Sequence, residues 1–400
     1  MASQALDLLN NVRVIDASRV LAGPFCGQLL GDLGAEVIKI EHPRQPDETR
    51  GWGPPFQGEL SAYYLSCNRN KKALTLDLAH TQGRAIFHKL IARSDIVLEN
   101  FRVDSLSRLG LTNGELHSVN PKLIICSISG FGRTGPLAAL PGYDLAIQAL
   151  SGLMAITGPL EGAPFKVGVA VTDILTGLNA AAGILACLHA RKGSGHGYHI
   201  DLALLDCAVA AQVNVAQAFL TSGRVPARQG NAHLQIVPYE MFATEDGWLV
   251  LAVGNDAQWQ RFCQAAGELE LAKDPRFRTN EERVRLRNEL VPRVAKMMKE
   301  RASRDWEERL LAAEVPHALV QHYDKLFASE QAAARGLRWI IRDPSGQPVD
   351  LIGSPFHISG AGSGAAVAPP RAGQDTDHVL RSLLGLSSEE IAALRQGGVI

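Results

Sequence analysis

The chain has 400 residues, 46% apolar and 20% charged, with a formal net charge of −1 at pH 7. That length accommodates two or three domains with a sizeable core, and the composition is that of an ordinary globular protein. The near-neutral balance leaves no electrostatic footprint for nucleic acid or an anionic membrane.

Six cysteines (Cys26, Cys67, Cys126, Cys187, Cys207 and Cys263) form no CxxC pair. Reduced thiols are expected, with no disulfide frame and no metal site. The N-terminus lacks a basic region followed by an apolar core, so no secretory signal is expected and the cytoplasm is the expected location.

Residues 12–16 read as a β-branched strand. Val20-Leu-Ala-Gly-Pro24 is a turn, 25–33 an apolar-faced helix, and Gly34 the residue that ends it. Residues 37–40 are the next strand. A βαβ unit this short predicts a parallel sheet. The pattern recurs with a strand at 73–76, a helix at 81–91, a strand at 96–98, a helix at 103–109 and a strand at 123–128. The first half is therefore an open α/β sheet of nucleotide-binding style. Ligands gather at the strand ends of such sheets. Three strand ends carry polar groups into a turn: Glu41-His42, Glu99-Asn100-Phe101 and Ser129-Gly130. The long 43–59 loop holds Arg50-Gly-Trp52-Gly-Pro-Pro-Phe56, and a loop of that length is usually functional or disordered. Its aromatics argue for function.

Gly130-Phe-Gly132-Arg-Thr-Gly135 matches G-x-G-x-x-G after a strand. Pro136 follows at once and no helix opens there, so the motif predicts a turn beside a ligand and not a dinucleotide fingerprint.

The run Lys166-Val-Gly-Val-Ala-Val-Thr-Asp173 delivers one carboxylate to a nearly uncharged stretch, 174–190. That stretch reads as a helix apolar on every face, hence buried, and too short to span a membrane. Asp173 suits two roles on local grounds: an N-cap, or a carboxylate nucleophile. A strand at 198–202, a long helix at 204–220 and a polar linker at 221–235 follow. The character then changes. Residues 239–243 and 248–253 suggest an antiparallel hairpin, and charged helices are expected at 258–266, 281–301 and 303–313. Residues 337–341 and 349–352 form a β pair, 360–370 a linker, and two short helices close the chain. The expected organisation is a large α/β domain over 1–224, a small α+β domain over 225–330, and a C-terminal segment over 331–400.

Together these stretches resemble the family III CoA-transferases (the CaiB/BaiF family) over nearly the whole chain. The resemblance rests on Val20-Leu-Ala-Gly-Pro24, Asp32-Leu-Gly-Ala-Glu-Val-Ile-Lys-Ile-Glu41, Asn68-Arg-Asn-Lys-Lys72, Glu99-Asn-Phe101, Gly142-Tyr-Asp144, Val171-Thr-Asp173 and Gly373-Gln-Asp-Thr376, in that order. It implies a Rossmann-like large domain to which the C-terminal segment returns, a small domain from the middle of the chain, and a homodimer of two interlocked subunits. It also implies that Asp173 is the nucleophile, passing through an acyl anhydride and an aspartyl-CoA thioester. No permanently bound cofactor is implied; the partners are an acyl-CoA and a small carboxylic acid. By position in the motifs, CoA is expected against Leu21, Ala22, His42, Leu76, Asn100, Phe101, Arg108 and Tyr143. Arg108 suits a phosphate. The family often has arginine at the His42 position. Near Pro141 this chain lacks a lysine that the formyl-CoA:oxalate transferases carry, which argues against oxalate. The 50–56 and 151–158 stretches, Ser61-Ala-Tyr-Tyr64 and the loop around His233 are similar to the succinyl-CoA:glutarate and related C4–C5 dicarboxylate enzymes. Trp52, Tyr63 and His233 are the expected acceptor-pocket residues, with glutarate or itaconate as acceptor.

An α-methylacyl-CoA racemase of the same fold is the first rival. It calls for a histidine base where Tyr143 stands, and tyrosine is a poor base at neutral pH. A non-catalytic CoA-ester binding protein is the second. A nicotinamide oxidoreductase would rest on the 130–135 glycines alone.

Overall fold

The computed structural model describes residues 4–400. Six parallel strands form the main sheet: β1 (Arg13–Asp16), β2 (Glu36–Glu41), β3 (Lys71–Thr75), β4 (Ile96–Glu99), β5 (Ile124–Ser129) and β6 (Tyr198–Ala203). Their order is β3-β2-β1-β4-β5-β6. Adjacent residues serve opposite faces. Ile15, Ile38, Val97 and Ile125 enter one apolar cluster, while Val14, Val37, Ile96 and Ile124 enter the other. Burial on both faces is why these strands read as continuous apolar runs. The order reverses between β1 and β4, and ligands of open α/β sheets gather outside the strand ends at that point.

Helix α1 (Ala22–Asp32) covers one face together with α2 (Asp144–Leu150), α3 (Val171–Ser194) and α4 (Leu204–Ala210). The opposite face is covered by the helices Thr81–Ile91, Thr376–Leu384 and Ser388–Gln396. The terminal motif docks on β3, an edge strand. Ala73 N–H donates to the Asp375 carboxylate at 2.8 Å, and Asp375 N–H returns a bond to the Ala73 carbonyl at 2.9 Å. An edge that would invite another strand is thus closed by the chain itself.

The chain divides into two compact units. Among the described residues the first comprises those up to Leu153, Val167–Ser222 and Ser329–Ile400; the second comprises Met154–Lys166 and Gly223–Ala328. In the second unit, β7 (Tyr239–Ala243), β8 (Trp248–Ala252) and β9 (His317–Leu319) form an antiparallel sheet. It packs on helices through Trp259, Phe262, Phe277 and Trp306, each at most 1% exposed.

Several expectations from sequence need correction. Helix α3 is longer than the apolar run, 24 residues, and is long and apolar enough to cross a membrane; one third of its apolar window is buried. It is not buried all round. Ala180, Ala181 and Ile184 face the core, while Leu178 is 46% and Leu185 37% exposed. The 204–220 helix is broken into α4 and Val213–Ser222, bent by 77°. Val213 takes a φ of 27° at the break, and Gln212 turns its amide onto the Ser151 carbonyl at 2.8 Å. The 281–301 helix is likewise two helices, Asn280–Arg285 and Arg287–Lys299. Within the 360–370 stretch, Ser363–Ala365 pairs with Gln4–Leu6.

Candidate active site

Asp173 is not the N-cap of α3. Ala170 holds that place, and Asp173 lies three residues further, in the first turn. Residues four apart share a helix face, so Gly177 follows Asp173 on the stripe that meets α1. A Cβ at Gly177 would stand 2.7 Å from the Ala22 carbonyl and 3.1 Å from the Phe25 ring. Its absence lets the two helices approach closely at the start of α1. Ala22 is the first residue of α1, after Leu21 at the N-cap. Its N–H is one of the donors a helix start leaves unpaired, and it favours the charged form of the Asp173 carboxylate.

The start of α3 is held by Asp144. One carboxylate oxygen accepts the Thr172 N–H at 2.9 Å and the Thr172 hydroxyl at 2.8 Å. The other accepts the Gln148 amide at 2.7 Å. Burial, and then the Asp144 charge, push the Asp173 carboxyl up to about 7, against the bond from Ala22. Raised carboxyls of this kind collect at functional sites.

Tyr63 lies near this carboxylate. Burial and then the Asp173 charge raise its phenol well above the ordinary value. Trp52 meets Tyr63 edge to face, with ring centroids 5.0 Å apart, and is 44% exposed. The loop carrying Trp52 is anchored through Arg50. That guanidinium donates to both Glu41 oxygens (2.8 and 2.6 Å), to the Tyr64 hydroxyl (2.6 Å) and to the Pro370 carbonyl (3.0 Å).

The remaining expected contacts divide by position. Leu21 and Ala22 follow β1, His42 follows β2, Leu76 follows β3, and Asn100 and Phe101 follow β4. All six therefore lie at the C-terminal edge of the sheet. His42 is partly exposed, and its Nδ1 accepts the Arg44 and Gln45 N–H groups at 3.1 Å. The Leu76 side chain is buried in the core at 1% exposure. Asn100 clasps a peptide unit: Arg19 N–H donates to its Oδ1 at 3.0 Å, and its Nδ2 donates to the Arg19 carbonyl at 2.8 Å. Arg108 is exposed and touches the Ser105 hydroxyl at 3.3 Å. Tyr143, the N-cap of α2, is 65% exposed. The 130–135 glycines form a turn with no helix behind them, and Gly130 abuts Gly142 so closely that a Cβ would stand 2.6 Å from its Cα. His233 belongs to the second unit. There its Nδ1 accepts the Gln235 N–H at 3.1 Å and its ring packs 5.3 Å from Tyr239.

The sequence pattern of CoA-transferase family III matches residues 9–376. The chain belongs to this family. It is 42% identical to a succinate–glutarate CoA-transferase of Agrobacterium fabrum, over 94% of this chain and 95% of that protein. It is 38% identical to the human succinyl-CoA:glutarate CoA-transferase, over 98% of this chain and 90% of that one. The crystal structure of a CaiB/BaiF family protein from Brucella suis superposes with a TM-score of 0.83 at 39% identity, covering 95% of this chain and all of that one.

In this family III CoA-transferase, sequence reading overlooked the buried charges beneath the site. Lys39 donates to the Asp47 carboxylate and Lys71 to the Asp16 carboxylate, both at 2.9 Å and all four side chains fully buried. A signal was present: Lys39 interrupts the apolar run of β2, and a lysine inside a doubly covered strand needs a partner. Asp144 was visible in the Gly-Tyr-Asp motif but had no role assigned.

Proposed function

We propose that this CoA-transferase moves CoA from succinyl-CoA to a C4–C5 dicarboxylate such as glutarate or itaconate, with Asp173 as the nucleophile. The observation that carries the reading is the seat of Asp173, a carboxylate faced by a second carboxylate and by the Ala22 N–H at a helix start. An Asp173 oxygen attacks the thioester carbonyl carbon, and CoA leaves as its thiolate to give a mixed anhydride. The thiolate attacks the Asp173 carbonyl carbon, expelling succinate and leaving a CoA thioester on Asp173. The acceptor carboxylate attacks that carbonyl and CoA leaves again. The thiolate then takes the acyl carbon of the acceptor from the second anhydride, which restores the Asp173 carboxylate. Thioester and anhydride exchange without ATP as long as water is excluded. Each addition places negative charge on an oxygen. The Ala22 N–H, at the positive end of α1, suits the oxyanion formed at Asp173.

Support for the donor and acceptor class comes from the glutarate CoA-transferases that share about two fifths of the sequence. CoA is proposed to lie along the sheet edge from Leu21 to Phe101, with Arg108 on a phosphate, and Trp52 and Tyr63 to shape the acceptor pocket. The test mixes the protein with succinyl-CoA and, separately, glutarate, itaconate, malate or oxalate, and identifies the CoA esters by mass spectrometry. Glutaryl- or itaconyl-CoA is expected; deuterium uptake from solvent at the α-carbon of a branched acyl-CoA, without exchange, would favour the racemase instead. Trp52→Ala is expected to raise the acceptor KM about tenfold, the scale of one lost aromatic contact, with the KM for succinyl-CoA unchanged. An equal rise in both would remove Trp52 from the acceptor side.

We also infer a homodimer. Leu178, Leu185, Val209, Phe219 and Leu220 leave an apolar surface exposed along α3, α4 and the helix that follows, larger in character than scattered surface residues. Sedimentation at micromolar concentration is expected to give the mass of two chains, and the mass of one would refute the inference.

A further inference from the structure

The turn between β1 and α1 is built in an unusual way. Val20 has a φ of 71°, a left-handed conformation that a β-branched side chain resists and a glycine adopts freely. Side chains from elsewhere bind the backbone of this turn. Ser18 N–H donates to the Asp16 carboxylate at 3.1 Å, and Lys39 donates to the Ser18 carbonyl at 2.9 Å. Asn100 takes both polar groups of the Arg19 backbone. Val20 N–H is shared by the two Asp47 oxygens at 3.4 and 3.3 Å. Asp47 is in turn fixed by Lys39 at 2.9 Å, by the Thr49 N–H at 3.1 Å and by the Thr49 hydroxyl at 2.7 Å. Asp47 is 2% exposed and Lys39 fully buried, so this anchor cannot drift into solvent. Two residues beyond Val20 stands Ala22, whose carbonyl would lie 2.7 Å from a Cβ at Gly177, one turn along α3 from Asp173, and whose N–H favours the charged form of that carboxylate.

We propose that Asp47 is a positioning residue for the nucleophile: anchored by Lys39, it holds Val20 in the left-handed conformation and thereby aims the Ala22 N–H at the Asp173 carboxylate. This rests on Asp173 being the nucleophile. A strained residue persists only where its surroundings over-determine it, and such residues gather at functional sites. Here the surroundings are an ion pair and an amide clasp. Their product is the direction of one N–H group at a helix start. Without the Asp47 carboxylate, Val20 relaxes to negative φ, Leu21 and Ala22 turn with it, and Asp173 loses a donor. Asp144 from α2 and Tyr63 from the segment after the Trp52 loop are the titratable groups that face Asp173.

The test is a double-mutant comparison of Asp47→Asn in two backgrounds, the natural chain and Val20→Gly, following kcat across pH. In the natural chain, Asp47→Asn is expected to lower kcat about tenfold, the scale of one donor imperfectly placed. The acid limb of the profile should also move to higher pH, because Asp173 has lost the bond that favours its charged form. In the Val20→Gly background the same substitution should change kcat less than about twofold, since glycine holds a positive φ unaided. Equal losses in both backgrounds would overturn the proposal, because they would assign the effect to the Lys39 pair or to the Trp52 loop. So would a lower kcat with an unmoved acid limb, the mark of a smaller active fraction. If Asp47→Asn does not fold, Asp47→Glu in the same two backgrounds carries the test, for it keeps a charge beside Lys39 and shifts the carboxylate off the Val20 N–H. Full exchange by Asp173→Ala would instead refute the underlying reading, whatever Asp47 does.

Discussion

Asp173→Ala is expected to stop CoA-ester exchange, lowering kcat by on the order of 10⁴-fold or more, as loss of a covalent nucleophile does. Succinyl-CoA should still bind, because none of the expected CoA contacts lies on α3. The active form is the carboxylate. With the carboxyl pushed up to about 7, exchange by the natural enzyme should fall as pH drops through that value. Stability should run the other way. The folded value stands above the unfolded one, near 3.9, so the unfolded chain releases its proton first. Ionising Asp173 therefore costs the fold nothing below about pH 4 and its full penalty above about pH 7. A shift of that size is worth at most about 4 kcal/mol, and about 2 after discounting for partial exposure. Asp173→Asn, neutral at every pH, should accordingly raise Tm at pH 8 and leave it unchanged at pH 4. Thermal denaturation at the two pH values checks this. An unchanged Tm at pH 8 would mean that burial does not hold the carboxyl up.

Lys71→Met is expected to be the most damaging change outside the site, at about 3–5 kcal/mol of folding stability, the cost of leaving a buried charge without its partner. Lys71 donates to the Asp16 carboxylate at 2.9 Å, to the Asn68 amide oxygen at 2.8 Å and to the Pro24 carbonyl at 2.7 Å. Burial alone would raise Asp16. Lys71, then Lys39 and the Ser18 hydroxyl, outweigh it and hold the carboxyl below its ordinary value. That contribution is present above the unfolded value and is lost only as pH falls through the lower folded one. Arg304 and Glu308, 86% and 70% exposed, offer the contrast, since such a pair is worth about 0–1 kcal/mol. Adding Asp16→Asn to Lys71→Met should recover a large part of the loss, because no charge is then stranded. Urea midpoints of the single and double variants measure this. A double variant no more stable than Lys71→Met would show that packing, and not the stranded charge, sets the cost.

The parallel sheet was legible because burial on both faces writes its central strands β1, β2, β4 and β5 as apolar runs, whereas the outer strands β3 and β6 carry Lys71-Lys72 and His199 with Asp201 and were found from the βα pattern around them. The hairpin of β7 and β8 was legible from the two short runs at 239–243 and 248–253, set close enough in sequence to pair. What escaped was set by groups distant in sequence. Nothing local in the Ala/Val-rich 204–220 stretch marks the break, which depends on Val213 leaving helical φ and Gln212 reaching Ser151. The run 174–190 is apolar on every side, yet its outer face stays exposed in a single chain, so apolarity indicated a face to be covered and not one covered already. At the site, Asp173 was found as an isolated carboxylate ahead of an apolar helix. Its placement three residues inside the helix, and the meaning of Gly177, required α1 to be seen against α3. Lys39 and Lys71 were detectable as charges in doubly covered strands, but their partners Asp47 and Asp16 lie 8 and 55 residues away, separations that no local pattern links.

The most direct measurement is the intact mass of the protein after brief mixing with succinyl-CoA in the absence of acceptor. Covalent catalysis through Asp173 predicts a gain equal to CoA less one water, localised by proteolysis to the peptide containing Asp173 and discharged when glutarate or itaconate is added. An unmodified protein that nevertheless converts acceptor to its CoA ester would contradict the account.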